Sequence, residues 1–68
     1  MQYGTVKWFD FRKGYGFIEP SNGSRDLFLH IRAVERAGIE SLEPGQRVSF
    51  EIERQKGKLS AINIELIK

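Results

Sequence analysis

Glycine-containing turn sequences divide the 68-residue chain into five short runs rich in β-branched and aromatic residues. Asn22-Gly23 tolerates the positive φ angles of a tight hairpin, Pro44-Gly45 suits the centre of a type II turn, and Gly57 marks a third turn. The runs between these turns predict strands at about residues 3–9, 14–19, 26–31, 46–54 and 59–66. The stretch from Arg32 to Glu43 has no sustained helical stripe, so we expect a long connection with one helical turn there.

Composition narrows the class of protein further. The chain has no cysteine, which excludes a disulfide framework and a thiolate metal site. No stretch approaches the roughly 20 apolar residues of a membrane helix, and the first residues lack the apolar region of a secretory signal. We therefore expect one cytoplasmic domain over residues 1–68 with no membrane contact. Five short strands, with a long connection between the third and the fourth, predict an all-β fold. We expect a small closed antiparallel barrel, which leaves no exposed strand edges.

The fourth and fifth predicted strands each have one apolar side, because successive side chains of a strand point in opposite directions. Val48, Phe50 and Ile52 alternate with polar residues, which places Phe50 in the core. In the last strand the apolar residues of the same parity are Ile62, Ile64 and Leu66.

The second and third predicted strands place their aromatic residues on the side of the charged ones. Tyr15 and Phe17 share a side with Lys13, and Phe28 shares one with Asp26. The opposite sides carry Gly14, Gly16, Ile18, Leu27, Leu29 and Ile31. Burying the charged side instead would be too costly, so we predict that the aromatic rings lie outside the core. Exposed rings on neighbouring strands indicate binding, with mutual stabilisation as cross-strand pairs as the alternative.

Aromatic rings next to cations are typical of surfaces that bind single-stranded nucleic acid, since bases stack on the rings while phosphates pass the cations. The net charge of +2 is too small to indicate this partner by itself. Candidate phosphate contacts are Lys7, Lys13, Arg25, Arg32, Lys56 and Lys58.

The segment from Lys7 to Ile18, KWFDFRKGYGFI, followed by DLFLHI at residues 26–31, resembles the two ribonucleoprotein motifs of the bacterial cold-shock proteins. The similarity extends through residues 41–52 and so covers nearly the whole chain. The resemblance implies a five-stranded oligonucleotide-binding (OB) barrel that binds single-stranded RNA and DNA without catalysis. It also implies an RNA chaperone that influences transcription or translation and needs neither a cofactor nor a small-molecule substrate.

The same resemblance implies roles for individual residues. Base stacking falls to Trp8, Tyr15, Phe17, Phe28 and His30, with Phe9 as a partly buried neighbour, and polar or phosphate contacts to Lys7, Lys13 and Asp26. The sequence departs from the family pattern at three of its expected contact positions. Ile31 and Ile39 stand where aromatic residues are common, and Asp10 stands where asparagine is frequent.

Other functions fit the sequence less well. An RNA-recognition motif domain would need two amphipathic helices and the reverse order of the motifs. A small barrel that holds a proline-rich peptide on its aromatic residues stays open as the alternative function. His30 is the sole histidine and no second group is placed as a nucleophile or ligand, so we expect neither an enzyme nor a metal site. We expect a monomer, and the apolar stretch at 59–68 leaves a dimer open.

Overall fold

The computed structural model describes residues 2–67; Met1 and Lys68, the two ends of the predicted domain 1–68, lie outside the described residues. In chain order the elements are β1 Gln2–Asp10, β2 Tyr15–Pro20, β3 Leu27–His30, α1 Ile31–Arg36, β4 Arg47–Gln55 and β5 Lys58–Leu66. The prediction of five strands is confirmed, and each strand boundary lies within one residue of its predicted position.

The five strands form a closed barrel in the order β1-β2-β3-β5-β4. The prediction of a purely antiparallel barrel is wrong at one junction, where β3 and β5 run parallel and Phe28 pairs with Ser60. The reason is geometrical. Strand direction can alternate all the way around a closed ring only when the number of strands is even, so five strands leave one parallel pair.

The core fills the barrel with the inward-pointing residues of all five strands. Phe50 is completely buried, as its parity predicts, and Ile18, Leu27 and Leu29 are buried opposite the aromatic residues of β2 and β3. The other buried apolar residues are Val6, Val34, Leu42, Val48, Ala61 and Ile64. The prediction that the aliphatic side of β2 and β3 faces the core is therefore confirmed.

Helix α1 follows β3 in the chain and precedes β4. It has six residues, close to the single turn expected, and packs against β5 and β3 with Val34 buried. Gly38 follows with a φ of 73°, and its backbone N–H donates to the carbonyl oxygen of Glu35. This left-handed position ends the helix, since residues other than glycine adopt it at a cost.

Strand β5 contains a bulge that changes which side its residues face. Ser49 pairs with Glu65 and Glu51 with Ile62, so three steps along β5 match two steps along β4. Asn63, inside the bulge, has a φ of 51°. The predicted apolar side of Ile62, Ile64 and Leu66 is therefore wrong for its two ends: Ala61 and Ile64 are the buried residues, and Leu66 is exposed.

Ile52 is exposed, although the sequence pattern placed it with Phe50 in the core. Its strand partner on β5 is the buried Ala61, and paired residues point to the same side of a sheet. Ile52 therefore lies on the inner side of the barrel, as predicted. Among residues 2–67, however, the pairing of β1 with β4 ends at Gln2 and Phe50. The β4–β5 hairpin thus continues past the part of β4 that β1 covers, and Ile52 is left at the open end.

Candidate nucleic-acid interface

The outer surface of β1, β2 and β3 carries five aromatic rings in two rows. Trp8 pairs with Phe17 and Phe17 pairs with Phe28, which forms one row across three strands. Tyr15 and His30 pair in the neighbouring row. We call the surface formed by these five residues the aromatic face: Trp8, Tyr15, Phe17, Phe28 and His30.

The rings of the aromatic face contact one another continuously. The Trp8 ring centroid lies 5.5 Å from that of Tyr15 and 5.4 Å from that of Phe17, both in inclined geometry. Tyr15 and Phe28 stack at 5.9 Å with 23° between their planes, and His30 follows Phe28 at 6.1 Å. These separations lie in the range that aromatic pairs prefer. The contacts hold the rings in fixed positions. This arrangement is compatible both with base stacking and with mutual stabilisation of the rings as cross-strand pairs.

A bulge in β1 turns Trp8 outward. Val6 pairs with Ile18 and Trp8 pairs with Phe17, so Lys7 is an extra residue between two successive pairs. Val6 is buried, whereas Lys7 and Trp8 are both exposed. A regular strand would put Trp8 on the same side as Val6, and the bulge is therefore what adds Trp8 to the aromatic face.

Phe9 lies behind the aromatic face, packed over Gly16. A Cβ atom at Gly16 would lie 2.7 Å from the Cα atom and 2.6 Å from the Cδ2 atom of Phe9, so any side chain there would collide with it. Phe9 is half-buried and packs against the core. This agrees with its expected place as a partly buried neighbour of the stacking residues.

Asp10 organises the turn between β1 and β2. Its Oδ1 atom accepts hydrogen bonds from the backbone N–H groups of Arg12, at 2.8 Å, and Lys13, at 3.1 Å. The turn presents the side chains of Arg12 and Lys13 to solvent. Asp10 thus has a structural role that the sequence analysis did not foresee. An aspartate can cap a turn in this way whatever residues surround it, so the aromatic and basic residues nearby gave no sign of it.

Phe11 is a further exposed ring that the sequence analysis did not single out. Its ring meets that of Phe9 edge to face at 4.7 Å, and 43% of its surface is exposed. The alternation of strand residues ends at Asp10, so parity could not place a residue in the turn. The available signal was its place in the segment, two positions after Phe9 and directly before Arg12 and Lys13.

Lys7 and Asp26 form an ion pair at the border of the aromatic face. The Lys7 Nζ atom donates to the Asp26 Oδ2 atom at 2.9 Å. This hydrogen bond and the negative charge of Asp26 raise the pKa of Lys7. The Lys7 ammonium group has three N–H donors, of which this contact uses one, so the others are open to a phosphate.

His30 joins the aromatic face to α1. It ends β3 and serves as the N-cap of the helix, where its Nδ1 atom accepts a hydrogen bond from the backbone N–H of Arg32 at 3.1 Å. The bond fixes the orientation of the imidazole ring and leaves Nε2 free of this contact. His30 can thus offer both a ring surface and a polar edge.

The remaining predicted contact residues lie on α1, in the connection after it and around the β4–β5 turn. Ile31 begins α1, and its Cγ2 atom would be 3.4 Å from a Cβ at Gly14, while Ile39 packs against the core beyond the helix. Lys56 and Lys58 flank Gly57 at the exposed β4–β5 turn. Lys58 precedes Ser60, the strand partner of Phe28, by two positions, so it lies at the β5 border of the aromatic face.

Two kinds of site have no candidate in the part of the chain that the structure describes. No group of three histidine, cysteine or acidic side chains is placed to hold a metal ion there. Between residues 2 and 67, no helix is long and apolar enough to cross a membrane.

A closed five-stranded barrel with rings on three consecutive strands and cations in β1 and the β1–β2 turn has the architecture of the OB-type proteins, whose strand faces bind oligonucleotides. Comparison with known proteins defines the class more closely. Residues 2–67 match the family model described as the "cold-shock" DNA-binding domain.

Several similar proteins are named as cold shock proteins. A probable cold shock protein of Sinorhizobium fredii is 54% identical over 67 residues, which cover 96% of this chain and 97% of that protein. The cold shock protein CspA of Rhizobium meliloti is 53% identical over 66 residues, covering 94% and 96%. CspC of Bacillus subtilis is 46% identical over 65 residues, covering 96% and 97%.

The chain belongs to the cold-shock domain family. It is a nucleic-acid-binding protein of the RNA-chaperone type, in a family that binds single-stranded nucleic acids and is not enzymatic.

Proposed function

We propose that residues 1–68 act as one domain that binds single-stranded RNA and DNA by stacking bases on the aromatic face. The observation that carries this proposal is the contiguous set of five rings outside the core of a 68-residue chain. Burial is worth about 25 cal/mol per Å² of apolar surface. Trp8 and His30 are exposed, and Tyr15, Phe17 and Phe28 are only half-buried, so a chain this small leaves part of that stabilisation unused. Stacking recovers it at about 1–3 kcal/mol per base.

The proposed contacts divide by chemistry. Unstacked bases lie on Trp8, Tyr15, Phe17, Phe28 and His30, with the Phe9–Phe11 pair extending the stacking surface past the β1–β2 turn. Phosphates meet Lys7, Lys13, Lys56 and Lys58 as the strand crosses the barrel. The carboxylates of Asp10 and Asp26 accept hydrogen bonds from exocyclic amines, and Ile31 and Ile39 offer apolar contact in place of rings.

The proposed action on RNA is thermodynamic. A protein that binds the open strand and not the paired one shifts the equilibrium of a weak hairpin towards the open form by mass action. Stacking is largely indifferent to base identity, so many sequences are affected. The protein does this in the cytoplasm as a monomer, without catalysis, a cofactor or a small-molecule substrate.

Trp8 is the only tryptophan and reports binding directly. We expect its fluorescence to be quenched by a single-stranded six-nucleotide DNA or RNA and much less by a duplex of the same sequence. The logarithm of the association constant should fall linearly with the logarithm of salt concentration, with a slope of about −0.7 for each phosphate neutralised.

The same titration separates the alternative. Quenching by a proline-rich peptide, with little salt dependence and no response to any single strand, would replace nucleic-acid stacking by peptide binding. An assay with a fluorescently labelled RNA hairpin of marginal stability tests the chaperone action. The proposal requires the hairpin to open as protein is added, and a hairpin that stays closed at saturating protein contradicts it.

A further inference from the structure

A groove of about 740 Å³ runs between α1 and β5, beside the aromatic face. One wall is the helix, with Arg32 and Arg36, and the other wall is β5, with Ser60 and Asn63. None of these four residues lies on the aromatic face, and only Arg32 was among the phosphate contacts that the sequence predicted.

The groove begins where the aromatic face ends. Phe28 and His30 line its mouth. Ser60, on the β5 wall, is the strand partner of Phe28. A strand that stacks on Phe28 and His30 therefore already lies against two residues that line the groove.

The helical wall is positively charged. Arg32 and Arg36 are one turn apart on α1, are both exposed, and both line the groove. The ion pair found among the described residues joins Lys7 and Asp26, which leaves both guanidinium groups available. Carboxylates of Glu53 and Glu65 also line the groove, on the strand side, so the favourable place for a phosphate is along the helix.

The strand wall offers polar groups outside the regular ladder. Asn63 lies in the β5 bulge with a φ of 51° and is exposed. Its side-chain amide can both donate and accept hydrogen bonds, as the edges of bases require. The groove thus combines phosphate-binding groups on one wall with base-edge partners on the other.

The far end of the groove leads to Ile39. A second hollow of about 560 Å³ shares Ala37, Ile64 and Glu65 with the first and is lined by Ile39. Ile39 is not one of the five residues of the aromatic face, and the two hollows adjoin along the three residues that they share.

We propose that the α1–β5 groove takes the continuation of the nucleic-acid strand beyond His30, with Arg32 and Arg36 binding successive phosphates and Asn63 meeting a base edge. This inference rests on the proposed function of the aromatic face. It makes the footprint longer than the stacked bases alone, so affinity depends on strand length in a way that these residues control.

The test is a length series of oligo(dT) with 4, 6, 8 and 10 nucleotides, measured by Trp8 quenching. A longer oligonucleotide offers more positions at which a short site can bind, which alone raises the apparent affinity. For the unmodified protein, the affinity should rise from 4 to 8 nucleotides by more than this statistical factor. The double variant Arg32→Gln/Arg36→Gln should bind the 4-mer normally and the 8-mer about three- to tenfold more weakly. For the 8-mer, the slope of the logarithm of the association constant against the logarithm of salt concentration should become smaller in magnitude by about 1.4, which is about 0.7 for each lost phosphate contact.

Arg47→Gln/Arg54→Gln is the matched control for the double variant, because both are exposed arginines on β4 that do not line the groove. It should leave the length dependence unchanged. As a second measurement, the backbone N–H of Arg36 and the side-chain amide of Asn63 should shift in NMR spectra with the 8-mer and stay in place with the 4-mer.

Identical length dependence and salt slopes in the double variant and the unmodified protein would overturn the groove proposal, while normal 4-mer binding would leave the aromatic face in place. Failure of the unmodified protein to bind any oligonucleotide would overturn both proposals together.

Discussion

Phe28 shows how single residues prepare the aromatic face. Its ring contacts Tyr15, Phe17 and His30, with centroid distances between 5.9 and 6.1 Å. A ring held by three neighbours loses little further freedom when a base stacks on it. Because ordering costs subtract from binding free energy, such preorganisation raises affinity without adding any contact.

The ion pair at the border of the aromatic face gives a prediction about pH. Since the pKa of Lys7 is higher in the folded chain than its ordinary value, the pair stabilises the fold fully below about pH 10.5 and loses this effect as pH rises through the raised pKa. The difference in unfolding free energy between the unmodified protein and Asp26→Asn should therefore shrink above pH 10.5.

Urea unfolding at a series of pH values from 8 to 11.5 measures this difference. The pair is exposed, so 0.5 M salt should reduce the difference at every pH. A difference that stays constant or grows across this range would show that Lys7 does not act through Asp26.

At the residue scale, sequence alone places Tyr15, Phe17 and Phe28 correctly outside the core, since the cost of burying Lys13 or Asp26 decides the matter. The structural role of Asp10 and the exposure of Phe11 were missed. Both depend on the shape of the β1–β2 turn, which is set by hydrogen bonds to Asp10 that follow no repeating pattern.

Among the elements, β1 and β5 owe their positions to bulges. The bulge at Lys7 turns Trp8 outward, and the bulge at Asn63 brings Ala61 and Ile64 inward together. Alternation of side chains is reliable for β2 and β3, whose pairing with each other is regular from Tyr15 to Ile18. It fails in β5 because one extra residue reverses the parity of everything beyond it.

The β5 bulge can be tested by its backbone conformation. Asn63 has a φ of 51°, a left-handed conformation that glycine adopts freely and β-branched residues resist. We expect Asn63→Gly to leave the unfolding free energy nearly unchanged and Asn63→Val to lower it by about 1–2 kcal/mol. Thermal unfolding of the two variants measures this, and equal stability of both would argue against a left-handed residue at this position.

Helix α1 and the connection after it were only partly predictable. The sequence indicates a single helical turn, and Gly38 marks its end, but the path from Gly38 to Gln46 has no periodicity that would place Ile39. The structure places Ile39 in the second hollow, which adjoins the α1–β5 groove. A residue in such a connection is positioned by the packing of the whole barrel, which local patterns do not contain.

The whole molecule divides its aromatic residues between two surfaces. Phe50 fills the centre of the barrel, and the aromatic face keeps Trp8, Tyr15, Phe17 and Phe28 outside it. The closed ring makes this division possible, because each strand of a barrel has one side towards the core and one towards solvent. The parallel β3–β5 junction then brings the α1–β5 groove beside the aromatic face.

The rings outside the barrel serve binding, and Phe50 serves stability. Two quantities separate these roles in Phe17→Ala, Phe28→Ala and Phe50→Ala: the free energy of unfolding and the affinity for a single-stranded 6-mer. The face variants should lose about 1–3 kcal/mol of binding free energy. They should lose about 1 kcal/mol of stability or less.

Phe50→Ala, by contrast, should lose about 3–5 kcal/mol of stability. Similar destabilisation in all three variants, with the affinity of Phe17→Ala and Phe28→Ala unchanged, would contradict the claim and identify the aromatic face as a set of stabilising cross-strand pairs.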